Sequence, residues 1–166
     1  MNQLTKIEIW WHGPLSMDDI KKDFATTNNA YGLYQIYGTH NISGPNTLLY
    51  IGKASEQTFA ARLKQHNWTN WEASATQFYV GRLGGTHKVD ENTWGKLIDI
   101  AEQLLIYYFA PPYNTQFLNG YGDIKDTIVL NYDKKNRLPL EVSTFYNDSK
   151  FWDDEDTWNE FAVENE

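Results

Sequence analysis

The sequence predicts an α+β fold, a small antiparallel β-sheet flanked by helices in three layers, with an extra β-hairpin and an acidic tail at the C-terminal end. Three observations carry that prediction. Two aromatic and aliphatic runs, 31–38 (YGLYQIYG) and 48–52 (LLYIG), are separated by a short loop, the pattern of an antiparallel hairpin. A third strand-like run, 77–83 (QFYVGRL), is followed by apolar residues at helical spacing over 93–109. Strands and helices do not alternate regularly along the chain, which argues against a doubly wound parallel sheet.

Taken in order, residues 6–11 are rich in Ile and Trp and predict a short strand that His12-Gly13-Pro14 ends. Ser16 with Asp19 forms a capping-box pattern, starting a short helix that runs to about Phe24, and 26–30 (TTNNA) is a loop. Residues 39–47 contain Gly44-Pro45 and read as the loop between the two strands of the hairpin. Ser55 is the expected N-cap of a helix through Phe59, Leu63 and His66 to about Trp68. Gly84-Gly85 breaks the third strand, Asn92 or Thr93 caps the long helix, and Pro111-Pro112 stops it. After the turn at 119–122, runs at 127–132 and 138–145 flank Asp133-Lys134-Lys135-Asn136 and read as a hairpin forming a small unit apart. The expected organisation is an N-terminal extension (1–30), a central domain (31–118), the hairpin (119–147) and the tail (148–166).

A chain of 166 residues lies within the ~100–200 residues of one domain. At 41% apolar and 16% aromatic it has material for a real core, which excludes wholesale disorder. The absence of cysteine excludes disulfide frameworks, thiolate metal sites and a cysteine nucleophile. No Walker loop, G-x-G-x-x-G, H-E-x-x-H or G-x-S-x-G pattern occurs, and no stretch approaches the ~20 apolar residues of a membrane span. The N-terminal residues lack a basic start and apolar run, so a cytoplasmic location is expected. The net charge of −8 argues at first against nucleic acid. Yet residues 148–166 hold eight acidic side chains and one basic, a net of −7, which leaves −1 for the body.

Chemistry concentrates between Gly32 and Asn114. Gly32-Leu33-Tyr34 sits in the first hairpin strand, Tyr50-Ile51-Gly52 ends the second, and Lys53 follows at once. The next helix presents Arg62 and His66 at i and i+4, on one face. On the long helix Glu102 interrupts an apolar stripe between Ile98 and Leu105, where an ionised carboxylate needs a cation or several donors. Asn114 lies past the double proline.

These residues resemble the GIY-YIG nuclease superfamily. Its marks are a glycine-aliphatic-tyrosine and a tyrosine-isoleucine-glycine in successive strands, an arginine on the first helix, a glutamate on the second and an asparagine beyond. The resemblance covers about residues 31–116, and six positions fall in order on the expected elements. The pair Arg62 and His66 is similar to a branch that contains restriction endonucleases. Two departures stand out: the first motif reads Gly-Leu-Tyr, and the inter-motif loop is longer than in compact members.

The resemblance implies an α/β/α-layered nuclease fold and a DNA endonuclease that uses one divalent metal near the leaving group. Glu102 is the acidic residue of the set and would hold Mg²⁺ or Mn²⁺ with water completing the shell. Arg62 suits a phosphate clamp. Tyr34 is the expected general base or relay, with Tyr50 beside it. Lys53, Arg62 and the metal are expected to depress the tyrosine pKa from its reference of about 10. His66 is the alternative proton acceptor, and Asn114 orients the site by hydrogen bond.

Each of these residues also has an ordinary reading. Tyrosines in strands pack, Arg62 and Lys64 suit a solvated helix face, and His12, His40 and His87 read as surface histidines. Arg82 near a strand-end turn, Lys64, and the hairpin-turn cluster Lys134, Lys135 and Arg137 are candidate phosphate contacts. Trp68 and Trp71 are candidate base-stacking residues. The competing function is a catalytically weak or inactive nucleic-acid-binding or regulatory protein of the same fold. In that reading the acidic, aromatic tail engages a basic partner, mimics DNA or covers a basic cleft of its own chain. One active site nicks one strand, so double-strand cleavage calls for a homodimer or two visits.

Overall fold

Alternation of side chains along the first strand sets the architecture. Ile7, Ile9 and Trp11 are wholly buried, while Trp10 between them is half-exposed on the opposite face. The computed structural model describes residues 4–24, 30–66, 76–85 and 88–145. Among these the elements are β1 (Thr5–Leu15), α1 (Met17–Asp23), β2 (Gly32–His40), β3 (Gly44–Ala54), α2 (Phe59–Leu63), β4 (Gln77–Leu83), α3 (Glu91–Phe109), β5 (Thr127–Asp133) and β6 (Glu141–Ser143). The fold is α+β, with one sheet in the order β3-β2-β4-β1-β5-β6.

The expected purely antiparallel sheet is in fact mixed. β1 runs antiparallel to β4 and parallel to β5, with Ile9 opposite Leu83 on one side and Asn131 on the other. The N-terminal run is therefore a central strand, and the hairpin is not a unit apart, because β5 continues the same sheet beyond β1. The reason is a long-range fit. The Trp11 indole donates to the Asn131 side chain at 3.0 Å in the core, and Asn131 donates in turn to the Pro139 carbonyl at 3.0 Å. β1 also continues past His12-Gly13-Pro14, where an irregularity in the register lets Leu15 pair with Phe78 again.

Helices cover both faces. On one side α3 packs Ile98, Ala101, Leu104 and Leu105 against Ile7, Ile9, Trp11, Leu33 and Ile51. On the other, α1 and α2 pack Ile20, Phe59 and Leu63 against Tyr34, Ile36, Phe78 and Val80. Burying such wholly enclosed side chains stabilises by about 1.5–3 kcal/mol each before entropy is counted.

Several element ends differ from the sequence expectation, each through a specific cap. The α1 capping box between Ser16 and Asp19 is present as expected. α2 starts from Thr58 rather than Ser55, because the Thr58 hydroxyl accepts the Ala61 N–H at 3.3 Å, and the helix spans five residues. α3 starts from Asp90 rather than Asn92 or Thr93, since Asp90 accepts both the backbone N–H and the hydroxyl of Thr93. It ends at Ala110, left-handed at φ 40°, as the following proline disfavours the helical region there. The β2–β3 turn is confined to 41–43, closed by the Ser43 N–H donating to the His40 ring, so Gly44-Pro45 begins β3.

Asn131→Ala removes the acceptor of a buried indole N–H and should cost about 1–3 kcal/mol of unfolding free energy. Urea denaturation would show this as a lower midpoint at constant slope. An unchanged midpoint would contradict the role assigned to this bond in joining β5 to β1.

Candidate active site

Register brings the two strand tyrosines together. Tyr34 pairs with Gly52 and Ile36 with Tyr50, so both phenols project from the α2 side of the sheet. Their rings stack with centroids 6.0 Å apart and 21° between planes. The last residue of Tyr50-Ile51-Gly52 has to be glycine, because a Cβ there would lie 2.6 Å from both the Tyr34 hydroxyl oxygen and the Tyr50 ring. Gly32 is also required, at φ +146° with a Cβ position 2.2 Å from the Gly81 carbonyl oxygen. That close approach of β2 to β4 seats Tyr34 two residues on.

The short α2 supplies the partners. Tyr34 Oη lies 2.8 Å from His66 Nε2 in the turn after the helix. The His66 ring also packs on Tyr50, at 4.7 Å between centroids. Tyr34 and Tyr50 interact electrostatically with each other and with Arg62, and His66 packs on both rings, so the three side chains form one cluster with Tyr34 at its centre. Arg62 donates to Gln65 Oε1 at 3.0 Å, and Gln65 exchanges amide bonds with Gln57. Neither glutamine stood out in the sequence, although Gln65 at i+3 from Arg62 is the readable signal.

From the α3 side comes a second group. Lys53 pairs with Leu33 and therefore projects from the opposite face to Tyr34. Its Nζ lies 2.7 Å from Asp99 and 3.4 Å from Glu102. Glu102, with 12% of its side chain exposed, is thus not the only carboxylate of the set. Asp99 stands one helical turn before it, a spacing that could have identified it. Tyr50, Lys53, Arg62, Asp99 and Glu102 line one open groove of about 1610 Å³. Asn114 is buried behind it and clamps Ile51, accepting its N–H at 3.0 Å and donating to its carbonyl at 2.8 Å. It fixes β3 between Tyr50 and Gly52.

Burial decides the protonation states. It raises the Tyr34 pKa far above the ordinary tyrosine value, with neighbouring Tyr50 adding to it and Arg62 only partly opposing. Tyr50 is raised too, again chiefly by burial. Arg62 by itself does not supply the depression expected from Lys53, Arg62 and a metal together, because loss of hydration outweighs its charge. His66 is pushed down to about 4 by burial and then by the Arg62 charge, so it is neutral at pH 7. Burial raises Glu102, with Lys53 opposing, while Asp99 and Glu102 outweigh burial to hold Lys53 above its ordinary value.

Among the described residues no three His, Asp or Glu side chains converge as a metal cage. The donor set still fits a hard divalent cation that keeps most of its waters, because a largely buried Glu102 carboxylate faces the groove with Asp99 one turn away. Arg82 also lines the groove, whereas Lys64, Lys134, Lys135 and Arg137 lie elsewhere on the surface. Lys135 turns its ammonium onto the Leu138 carbonyl within its own hairpin. The expected basic cleft is instead mixed, with Lys53, Arg62 and Arg82 against Glu56, Glu91, Asp99 and Glu102. His12 stands 3.8 Å from Asp133, and His40 closes the β2–β3 turn. Trp68, Trp71, His87 and the tail from 148 onward lie outside the described residues.

No family model matches this chain, and no curated protein or solved structure matches it either.

A depressed histidine pKa makes a signed prediction. Between about pH 6.5 and 4 the unfolded chain binds a proton at His66 that the folded protein refuses, so stability falls as pH is lowered through that window. His66→Gln should remove that part of the acid sensitivity, flattening the urea midpoint between pH 6.5 and 4 relative to wild type. Parallel curves for the two proteins would contradict a buried neutral His66.

Proposed function

We propose that this protein is a metal-dependent endonuclease that hydrolyses DNA phosphodiester bonds, with a GIY-YIG-like arrangement of its catalytic groups. The observation that carries this reading is the meeting of Tyr50, Lys53, Arg62 and Glu102 on one groove, with the Tyr34–His66 hydrogen bond directly behind Tyr50. Each group matches a requirement of phosphodiester cleavage: a proton acceptor for water, cations for the phosphoryl oxygens and a carboxylate for a metal.

Exposure divides the tyrosine work. Tyr34 is fully buried, while Tyr50 lines the groove, so Tyr50 is the phenol that meets water and Tyr34 is the relay behind it. As the oxygen of water attacks phosphorus and the bond to the leaving sugar oxygen breaks, the water proton passes to Tyr50. Tyr50 passes its own proton to Tyr34, Tyr34 passes one to His66 Nε2, and the leaving oxygen takes a proton from solvent. Neither phenol needs to ionise, which suits their raised pKa values. Arg62 ties this relay to the substrate. Its charge is one of the two causes holding His66 down; a phosphodiester on Arg62 offsets that charge and raises the proton affinity of His66 when substrate is present. Glu102, with Asp99 nearby, would hold Mg²⁺ or Mn²⁺, which supplies charge stabilisation to the phosphoryl oxygens when bound. Lys53 holds the two carboxylates in place from the β3 side.

The test is cleavage of supercoiled plasmid and single-stranded DNA with Mg²⁺ or Mn²⁺. Wild type should nick, Glu102→Ala should fall to background, and Tyr50→Phe and Tyr34→Phe should each lose ~10²–10⁴-fold in single-turnover rate. Equal activity in wild type and Glu102→Ala would overturn the assignment.

A further inference from the structure

The nuclease reading leaves one wall of the groove without a role. Trp10, Arg82 and Tyr132 are cross-strand partners, Trp10 opposite Arg82 on β4 and opposite Tyr132 on β5. Partners in register project from the same face, so the three side chains form a row across β4, β1 and β5. It is the face that carries Tyr34, since Tyr34 pairs with Val80, two residues before Arg82 on β4.

Trp10 is 50% exposed and lines the groove, an unusual position for so large an apolar ring. Two contacts hold it there. Tyr132 packs against it at 5.1 Å between centroids with the planes 35° apart. Gly84 offers bare backbone to its edge, where a Cβ would come within 2.2 Å of the indole. The ring is thus braced from the side and from the edge while still reaching the groove. Beside it, the Arg82 side chain makes no hydrogen bond or ion pair with the described residues, and its guanidinium lines the same groove.

We propose that Trp10, backed by Tyr132, stacks on an unpaired nucleobase of the bound strand, and that Arg82 takes a phosphate flanking that base. The proposal rests on the nuclease reading and deepens it, by assigning a substrate with a single-stranded segment beside the scissile phosphate. The charge of the groove favours stacking over backbone tracking. Three cations face four carboxylates there, so phosphate attraction along a duplex is weak and an aromatic contact has to contribute much of the affinity. Base stacking on an aromatic side chain does this without sequence preference.

The experiment is equilibrium binding, by fluorescence anisotropy in EDTA, of a labelled single-stranded deoxyoligonucleotide, its ribo counterpart and a blunt duplex. Wild type is compared with Trp10→Ala, Trp10→Leu, Trp10→Phe and Arg82→Gln, with plasmid cleavage run in parallel. Trp10→Ala and Trp10→Leu should weaken single-strand binding at least ~10-fold more than duplex binding, while Trp10→Phe retains most of it. Arg82→Gln should lower the slope of log affinity against log salt by about one phosphate contact. Trp10→Leu keeps apolar bulk on the sheet, so a defect shared with Trp10→Ala reports the aromatic face rather than folding. Single-strand affinity unchanged in both variants, or no single-strand binding by wild type, would overturn the platform, and cleavage in the parallel assay would leave the nuclease reading standing. Trp10-dependent binding with no cleavage under any metal would overturn the nuclease reading and leave the platform.

Discussion

The phenol of Tyr34 lying against the bare backbone of Gly52 is the contact on which the site depends. It forces glycine at one residue of β3, stacks Tyr34 on Tyr50, and points the Tyr34 hydroxyl at His66 Nε2. Full burial of the ring follows, and burial in turn keeps both tyrosines protonated and His66 neutral. The buried phenol is thus hydrogen-bonded to a neutral imidazole, the pairing on which the proposed relay rests. The Arg62 charge nearby does not reverse this, because the cost of removing a phenolate from water outweighs its attraction. Asn114 completes the arrangement by fixing Ile51 from behind, which sets the positions of the residues on either side of it.

The sheet delivers groups to the groove from both faces and from distant parts of the chain. β3 alternates Tyr50 and Gly52 toward α2 with Ile51 and Lys53 toward α3, so neighbouring residues reach the Tyr34–His66 cluster and the Asp99–Glu102 carboxylates. β1 lies at the centre because its odd-numbered apolar residues fit beneath α3 and its Trp11 finds Asn131. The same alternation turns Trp10 outward. Core packing and the exposed aromatic wall are therefore two consequences of one register.

Local pattern made much of this legible. The strands of the β2–β3 hairpin, β4 and the body of α3 follow from periodicity, and Arg62 and Glu102 follow from helical spacing and from a carboxylate set in an apolar stripe. The role of β1 was not legible, because parallel pairing with β5 joins residues about 120 positions apart and leaves no local mark. Cap positions slipped by two or three residues wherever several polar side chains stood in a row, as at Ser55 and Thr58. The division between Tyr34 and Tyr50 was hidden for a different reason: both are strand tyrosines, and only burial tells which one meets the groove. Asp99 was overlooked because its partner Lys53 is 46 residues away.

The central claim is that the groove activates water against a phosphodiester through Tyr50, Tyr34 and His66. Its most direct test is a single-turnover reaction with Mg²⁺ or Mn²⁺ in H₂¹⁸O, with the new phosphate termini analysed by mass spectrometry. The account predicts one ¹⁸O on each new phosphate terminus made by wild type, accumulating at least ~10²-fold more slowly in Tyr50→Phe. Termini without solvent oxygen, or labelling at the same rate in both proteins, would contradict it.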